Sequence, residues 1–445
     1  MYELRVQDVP PKVEEEYMPP IGSYSYRVLF SLTPYNSVQE YWKNTGKTWS
    51  KNLNKFCDPD RALKEATAKI TEGAMTPEEK LKKIYASVMK LENTDFTRAR
   101  DQREDKAVGM GEVHNAGDVL LHERGTPRQL SQLFLAMVRA AGFDAYGMLV
   151  PDRSQELFTP AWQNYQQFDD LLVIVKVDGK DVFFDPGSRY APYGQLAWQH
   201  TYIQGLRQTG AGTDFAVTPG HSLKMNRTTR VANLKMEAGG EIAGKIDLTY
   251  SGAPALHWRQ LALRGDEESV RHELRTSLEG MVPRTLEVEV VEIKGLTEYE
   301  QPLAVSYKVK GTMGASTGRR LLLPSDLFLA EQKATFPHEK REQAVDFHYP
   351  RYVQDAVRIN FPSSYAVEAV PAAGKLQMSD AGSYNMATEG GTTFVTTRCD
   401  FLFGSVMVPQ KEYGELRTFY SQMEAKDGES IVLKNAGTAA VSGTD

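Results

Sequence analysis

The sequence predicts an α+β protein in which a core of helices packs on an antiparallel sheet and a β-sandwich-like domain follows. Helical periodicity prevails from about residue 36 to residue 142, and three almost continuous apolar strand segments come next. From about residue 216 onward, most segments alternate apolar and polar residues as half-buried strands do. A chain of 445 residues has room for two or three domains.

We therefore divide the chain into four parts. Residues 1–35 are predicted to be the end of an N-terminal β domain and a linker, 36–215 the helical core with its sheet, 216–435 a β-rich C-terminal domain, and 436–445 a flexible tail. Within the first part, residues 24–32 alternate as a strand should. Met1 leads directly into a strand-like segment without an export signal, which indicates a chain cropped from a longer precursor.

Composition excludes several classes of protein. The net charge is −6 and we find no basic stripe, so a nucleic-acid partner is not expected. No apolar run reaches the roughly 18 residues of a membrane span. Cys57 and Cys399 lie far apart and match neither a disulfide framework nor a metal motif. The histidines form no HExxH pattern, so we predict no metal and no cofactor.

Three helices should form the first layer of the core. Residues 37–56 place Trp42, Trp49 and Phe56 seven residues apart on one face, although Gly46 weakens the middle of this helix. Residues 76–93 open with a capping box at Thr76, followed by an apolar stripe.

The third helix, 127–141, begins in the same way and ends at Gly142. Thr126 is the cap, Pro127 takes the first helical position, and Gln129 completes a capping box.

Strands follow this helix. Segments 145–150, 171–177 and 181–185 are apolar enough to be covered on both faces, and Asp178-Gly179-Lys180 is a tight turn between the last two. In the C-terminal part, Gly239-Gly240 marks a hairpin, and residues 254–280 and 412–425 are predicted helices among the strands.

This layout is that of a cysteine-nucleophile active site without its nucleophile. A thiol at a helix N-terminus gains acidity, a histidine on a neighbouring strand takes its proton, and a carboxylate orients the histidine. The corresponding positions here hold Pro127, Asp170 and Asp185. Proline offers no nucleophile, and Asp170 would need a strongly raised pKa to serve as a base.

At these positions the chain resembles the bacterial transglutaminase-like superfamily, in its cysteine-peptidase branch. The family's Arg-Tyr-Gly-Asp-Cys-Lys-Asp appears as residues 123–129, its helix end Leu-Arg-Ala-Ala-Gly as 138–142, its Phe-Asn-His as 168–170, and its aromatic-Asp-Pro as 184–186. The resemblance implies a transglutaminase-like (papain-like) core in which cysteine and histidine are replaced and Asp185 remains. More narrowly, the chain is similar to multidomain envelope proteins whose core is flanked by β domains of unknown function.

No other residue restores the reactive pair in the sequence. Cys57 and Cys399 are interpreted as small buried hydrophobes, and Ser131 as a solvated or back-bonded helical serine. His114 and His122 are placed in the loop before the third helix, and His200 after an aromatic segment. We interpret each histidine as a lone loop or surface residue.

We call Pro127, Asp170 and Asp185 the relic positions. Carboxylates and loop aromatics around them are candidates for ligand binding. They are Glu123, Asp169, Trp162, Tyr165, Tyr190, Tyr193 and Trp198. Aromatic rings beside acidic groups are typical of grooves that bind peptides or sugars. In the alternative interpretation, the aromatics only fix loops to the scaffold and Asp185 caps a turn before Pro186.

These observations favour a catalytically inactive, transglutaminase-like protein that binds a peptide or oligosaccharide, or acts as a scaffold for an envelope protein partner. The resemblance implies a periplasmic or other extracytoplasmic location, and a cytoplasmic one stays open. An alternative is a hydrolase that uses Asp170 and Asp185 as acid and base, which requires carboxylates roughly 5–9.5 Å apart across an open cleft. A third hypothesis makes the core a spacer between partner-binding β domains.

Overall fold

The computed structural model describes residues 5–28, 33–97, 102–107, 111–329 and 333–435, with the side chains of 102, 105 and 106 left out. The chain divides into two compact units, Met1–Gly220 and His221–Asp445. Among the helices described, none combines the length and apolar character that crossing a membrane requires.

The first unit contains six helices and seven strands in its described part. The helices are α1 (Val38–Phe56), α2 (Arg61–Thr71), α3 (Pro77–Met89), α4 (Gln102–Ala107), α5 (Ala116–His122) and α6 (Pro127–Ala140). The strands are β1 (Glu92–Asn93), β2 (Arg124–Gly125), β3 (Ala145–Val150), β4 (Asp170–Val177), β5 (Lys180–Phe184), β6 (Gln204–Thr209) and β7 (Gly212–Val217). Short 3-10 turns at Pro160–Trp162, Tyr165–Gln167 and Trp198–His200 interrupt the loops.

Helix α1 packs its tryptophans inward, as the heptad-like spacing predicts. Trp42 and Trp49 are 3% and 9% exposed. Gly46 does more than weaken this helix, because a Cβ there would lie 2.1 Å from Oγ1 of Thr213 on β7. The glycine therefore allows α1 to lie close against the sheet.

A five-stranded antiparallel sheet forms the second layer of this unit, in the order β5-β4-β3-β6-β7. The predicted turn joins β4 to β5, with Asp178 and Gly179 both left-handed at φ of 50° and 76°. Burial of Leu171 through Val175 to 2% or less confirms that β4 is covered on both faces. Strands β6 and β7 were not predicted from the sequence, so the sheet has five strands where three were expected.

The strand order fixes where the loops of the sheet meet. The end of β3, the start of β4, the end of β5 and the start of β6 all lie at one edge, because neighbouring strands are antiparallel. The long connection from β5 to β6 must therefore cross this edge, past the first residue of β4.

Helix α6 packs on this sheet and on α2, α3 and α5. Its predicted apolar face, Leu130, Phe134, Met137 and Val138, is buried to 1% exposure or less. Gly142, with φ of 88°, ends the helix in the predicted left-handed conformation.

The second unit is rich in strands, as predicted, and carries three helices in its described part. The strands are β8 (Arg227–Met236), β9 (Glu241–Tyr250), β10 (Leu286–Lys294), β11 (Leu303–Thr312), β12 (Ala315–Thr317), β13 (Arg320–Pro324), β14 (Val345–Asp346), β15 (Arg351–Asn360), β16 (Tyr365–Ala369), β17 (Gly374–Met378), β18 (Gly382–Gly390), β19 (Phe394–Phe403), β20 (Met407–Val408) and β21 (Ser430–Asn435). The helices are α7 (Ala253–Arg264), α8 (Glu267–Glu279) and α9 (Tyr413–Asp427).

In the described part of this unit, two hydrophobic cores connect the strands and helices. The large sheet has eight strands in the order β10-β11-β9-β8-β15-β19-β18-β17, and a second sheet has the order β12-β13-β21-β16. One core joins the large sheet to α8 and to β13 and β21 of the second sheet. The other joins β17, β18 and β19 to α9.

Two predicted segments need correction. Residues 254–280 form two helices instead of one, because Gly265 ends α7 and the Asp266 carboxylate accepts the Ser269 N–H at 2.8 Å to start α8. In the predicted strand 24–32, residues 24–28 are not a strand and 29–32 lie outside the described residues. The predicted tail, 436–445, also lies outside them, and the predicted N-terminal β domain stays a prediction.

Candidate functional site

The position that would hold a nucleophile is the first residue of α6. Thr126 accepts a hydrogen bond from the Gln129 N–H at 3.3 Å, and the Gln129 side chain accepts the Thr126 N–H at 2.9 Å. This confirms the predicted capping box. Pro127 follows at the first helical position, where it contributes neither a reactive side-chain atom nor an N–H.

Arg128 connects this helix start to the start of β4. Its Nη2 donates to the carbonyl oxygens of Phe168 and Asp169 at 3.0 and 3.1 Å. On the other side, Gly187 packs against Pro127, since a Cβ on Gly187 would lie 2.8 Å from the Pro127 carbonyl oxygen. The relic nucleophile position is thus close to both carboxylate-bearing segments.

A histidine lies between the two relic carboxylates. Asp170 is the first residue of β4, Asp185 follows β5, and His200 ends the 3-10 turn before β6. His200 Nε2 is 3.0 Å from Asp170 Oδ2, and its Nδ1 is 2.7 Å from Asp185 Oδ2. We call these three residues the Asp–His–Asp bridge.

The bridge is buried and carries compensating charges. Asp185 and His200 are 1% and 3% exposed, whereas the Asp170 side chain keeps 27% exposure. Burial opposes a charge on His200, but the Asp185 carboxylate and the hydrogen bonds to Asp170 and Asp185 outweigh it and hold the pKa of His200 well above its usual value. Burial would raise the pKa of Asp170, yet the hydrogen bond and charge of His200 and the Arg128 charge leave it lowered.

This geometry limits what the bridge can do chemically. A protonated imidazole that donates both N–H groups to carboxylates has no lone pair with which to accept a proton. Asp185 Oδ2 also accepts the Ala197 N–H at 2.9 Å. The bridge therefore fixes the connection between β5 and β6 across the edge of the sheet. Neither nitrogen of the His200 ring is left free.

Two expectations about these residues were wrong. His200 is a buried ion-pair partner, not a lone loop or surface histidine, and the Asp185 side chain bonds His200 and Ala197, not a local turn. Strand β6 was not predicted, and its position explains this contact. A strand at residues 204–209 beside β3 forces the preceding loop across the start of β4, which brings the one histidine of that loop to Asp170.

Ser131 also differs from its prediction. It lies one turn into α6, is completely buried, and its Oγ has no hydrogen-bond partner. The Oγ would be 3.0 Å from a Cβ on Gly187, so it faces the turn after Asp185. Among the described contacts it has none with His200, and the serine is neither solvated nor back-bonded.

The other acidic candidates, Asp169 and Glu123, are exposed. Asp169 Oδ2 accepts the Asp152 N–H at 2.9 Å, while burial and the neighbouring carboxylates raise its pKa against that hydrogen bond. Glu123 is exposed and left-handed (φ 50°) at the end of α5. His122 is the last residue of that helix, not part of a loop.

All five aromatic candidates contact side chains of the first unit, and the ring of Tyr165 lies 6.1 Å from that of Phe168. The guanidinium groups of Arg27, Arg153 and Arg189 lie over the rings of Trp162, Trp198 and Tyr190 at 4.2, 5.0 and 4.8 Å. The Tyr193 ring lies 5.1 Å from that of Phe184, which is buried. These contacts match the alternative in which aromatics fix loops to the scaffold, and a ligand role stays a prediction.

The fifth aromatic, Tyr165, lines a cavity of about 490 Å³ between α1, α6 and the sheet. Its walls combine aromatic and aliphatic side chains with a few polar groups. They are Tyr35, Thr45, Thr48, Trp49, Asn52, Leu53, Phe56, Arg128, Gln132, Leu149, Tyr165 and Leu171. Arg128 directly follows Pro127, and Leu171 directly follows Asp170, although neither Pro127 nor Asp170 lines the cavity.

Neither cysteine supplies the missing thiol. Both are free and buried. Cys57 Sγ donates to the Gln132 carbonyl at 3.3 Å, and burial raises its pKa to about 12 although Arg139 lowers it. No described histidine contacts either thiol.

Comparisons with known proteins agree with this architecture. The transglutaminase-like superfamily model matches residues 64–156, and the domain-of-unknown-function family DUF3858, for which a structure is solved, matches residues 319–433. The first match includes position 127 but ends before Asp170 and Asp185. No curated protein matches the chain.

A solved structure shares the fold. It is described as a "putative protease" from Parabacteroides distasonis ATCC 8503, is 12% identical, and superposes with a TM-score of 0.51 over 96% of this chain. The chain spans 64% of the length of that structure. From the two domain matches and this likeness we conclude that the chain is a multidomain protein with a transglutaminase-like domain followed by a DUF3858 domain.

Proposed function

We propose that this protein is a catalytically inactive member of the transglutaminase-like class that binds peptides beside its former active site. The observation that carries the proposal is the Asp–His–Asp bridge together with Pro127. The helix start holds no nucleophile, and each ring nitrogen of the buried His200 lies within hydrogen-bond distance of a carboxylate. A cysteine-type mechanism needs both a nucleophile and a free base.

The bridge also speaks against a hydrolase that uses two carboxylates. Such a mechanism needs an open cleft between the acid and the base so that the scissile bond can enter. Here the ring of His200 fills the space between Asp170 and Asp185, and Asp185 is 1% exposed. A substrate could reach Asp170 alone.

The cavity beside Arg128 supports a binding role. Its volume of about 490 Å³ lies in the range of ligand pockets. Trp49 and Phe56 supply apolar walls, while Arg128 and Gln132 supply donors that match peptide carbonyls or a carboxylate. We therefore favour a peptide with an apolar side chain as the ligand.

Activity assays test the inactive core. Purified protein should neither hydrolyse peptides nor incorporate amines into glutamine-containing peptides above the buffer rate. The double variant Pro127→Ala/Asp170→Asn serves as control. If the wild type is active and this variant keeps the activity, chemistry occurs elsewhere in the chain and the proposal of an inactive protein is wrong.

Binding assays test the cavity. Peptide and glycan arrays, followed by calorimetry on the best binder, should show peptide binding that weakens at least about tenfold in Tyr165→Ala and Arg128→Gln. Trp162→Ala and Trp198→Ala, on the loop surface, are the matched controls and should change the affinity little. Binding lost only in the tryptophan variants would move the site to the loops, and glycan binding without peptide binding would replace the ligand class.

The bacterial cell envelope is the setting we propose, because the sequence resembles multidomain envelope proteins of this class. Fractionation of cells that express the complete gene product, followed by immunoblotting, tests the compartment. Recovery in the cytoplasmic fraction alone would contradict this part of the proposal.

A further inference from the structure

A second charged cluster lies inside the β-rich unit, apart from the transglutaminase-like domain. Three neighbouring strands place Arg230 (β8), Asp355 (β15) and Cys399 (β19) side by side, because Asp355 pairs with Arg230 on one side and with Cys399 on the other. Asp326, just after β13, completes the cluster. One ligand atom each of Asp326, Asp355 and Cys399 lies within 4.8 Å of the others, and all three residues are buried.

The hydrogen bonds of this cluster leave oxygen atoms without partners. Arg230 Nε and Nη2 donate to the two Asp355 oxygens, both at 2.6 Å, so this pair satisfies itself. Asp326 Oδ1 accepts the Phe328 N–H at 2.9 Å, but its Oδ2 has no hydrogen-bond partner although the residue is 1% exposed. A buried polar atom without a partner is rare and costs folding free energy. A bound ion would give this oxygen a partner.

A second orphan oxygen lies nearby. Asp427, the last residue of α9, accepts a hydrogen bond from the Tyr384 hydroxyl through Oδ1, whereas its Oδ2 has no partner. Asp427 is 5% exposed and acts electrostatically on Asp326 and Cys399. It also lines a cavity of about 380 Å³, whose walls do not include Asp326, Asp355 or Cys399.

Charge counting indicates what the cluster would hold. Arg230 and Asp355 neutralise each other. Apart from the nearby Asp427, an Asp326 carboxylate and a Cys399 thiolate would leave two buried negative charges. One divalent cation cancels them. A thiolate with carboxylate oxygens is a ligand set that suits Zn²⁺ and its neighbours among the transition metals, better than Mg²⁺ or Ca²⁺.

We propose that Asp326, Asp355 and Cys399 bind one divalent transition-metal ion of the zinc type, with Asp427 nearby. Binding forms a metal–sulfur bond and releases the thiol proton to solvent, with no change of oxidation state. The ion stabilises the β-rich unit because it binds the folded chain and neutralises the buried carboxylates. This role is independent of the inactive core.

Cobalt titration of the tag-free full chain tests the site. Co²⁺ bound by a thiolate gives a near-ultraviolet charge-transfer band, and we expect this band to saturate at one equivalent and to disappear on Zn²⁺ addition. Cys399→Ser should abolish it. Cys57→Ser is the matched control, because Cys57 is also a free buried thiol, and it should keep the band unchanged.

A second variant and a second readout distinguish loss of the metal site from misfolding of the variant. Asp326→Asn keeps the side-chain shape and should weaken Zn²⁺ binding by at least the roughly 10- to 100-fold that loss of a supporting group costs a metal site. Zn²⁺ should raise the melting temperature of the wild type but not of Asp326→Asn, and a chelator should reverse the rise. Absence of metal binding by the wild type, or a band that persists in Cys399→Ser, would overturn the proposal and show that protons alone neutralise the cluster.

Discussion

The two units of this protein bury charge in opposite ways. In the first, His200 lies between Asp170 and Asp185 and bonds one carboxylate with each ring nitrogen. In the second, Arg230 donates two hydrogen bonds to Asp355, and Oδ2 of Asp326 and Oδ2 of Asp427 have no hydrogen-bond partner. In the first cluster each ring nitrogen has a carboxylate partner, whereas in the second two carboxylate oxygens have no hydrogen-bond partner.

The two proposals account for this difference with a former catalytic site in the first unit and a metal site in the second. Buried charges are costly, so a cluster without a function is expected to compensate itself. The Asp–His–Asp bridge does so, at the place where the resemblance implies catalysis. The cluster in the β-rich unit does not, although neither the sequence nor the resemblance marks it.

The largest effect should come from breaking the arginine pair of the second cluster. Asp355→Asn leaves the buried Arg230 guanidinium without the carboxylate that it bonds, and loss of one partner of a buried pair typically costs about 3–5 kcal/mol of unfolding free energy. Urea unfolding followed by circular dichroism measures the loss. Glu237→Gln removes the exposed partner of Lys235 and should cost less than about 1 kcal/mol. Equal losses in both variants would show that burial does not distinguish the two pairs.

The bridge should tolerate loss of its outer carboxylate better than loss of its inner one. Asp185→Asn removes the charge of a buried carboxylate that accepts two hydrogen bonds and should cost about 2–3 kcal/mol, because bonds to charged groups contribute roughly that much. Asp170→Asn should cost less, since water can reach its side chain, which is 27% exposed. The same unfolding assay compares the two. A larger loss for Asp170→Asn would contradict the asymmetric burial.

His200 should make the first unit lose stability as the pH rises. Its pKa is raised in the folded protein, so the folded chain keeps a proton that the unfolded chain releases near the usual value of 6.5. The stabilisation is complete below that pH and declines, at up to about 1.4 kcal/mol per pH unit, until the folded pKa is passed. Unfolding free energies from pH 6 to 9 should show this slope in the wild type and lose it in His200→Gln.

The exposed His114 provides the control for this pH dependence. His114→Gln should leave the slope unchanged. Nitrogen-15 spectra of the ring add a direct check, since both nitrogens of His200 should stay protonated above pH 7. A neutral ring at that pH would overturn the charged bridge and reopen a role for His200 as a base.

The smallest effect concerns the helix start next to the bridge. Thr126→Ala removes the side-chain cap of α6 and should cost about 1 kcal/mol. Thermal unfolding measures this change, and Thr126→Ser, which keeps the hydroxyl, should cost less. An unchanged melting temperature in both variants would show that packing of α6 alone fixes its first turn.

Local signals were enough for most of the helices and for the first hairpin. Capping boxes and apolar spacing located α3 and α6, and the Asp178-Gly179 pair located the turn between β4 and β5. Weaker sequence patterns did not predict two strands of the first unit. The segments that became β6 and β7 carry polar residues without clear alternation, and their strand state depends on pairing with β3 and with each other.

The sequence by itself determined the fold class, the transglutaminase-like layout and the absence of a thiol at position 127, because these follow from local periodicity and from the identity of one residue. Only the tertiary structure decided that His200 joins Asp170 to Asp185, and that Asp326 meets Asp355 and Cys399. Those contacts join residues 15 to 73 positions apart. Strand order and register set such distances, and no local pattern encodes them.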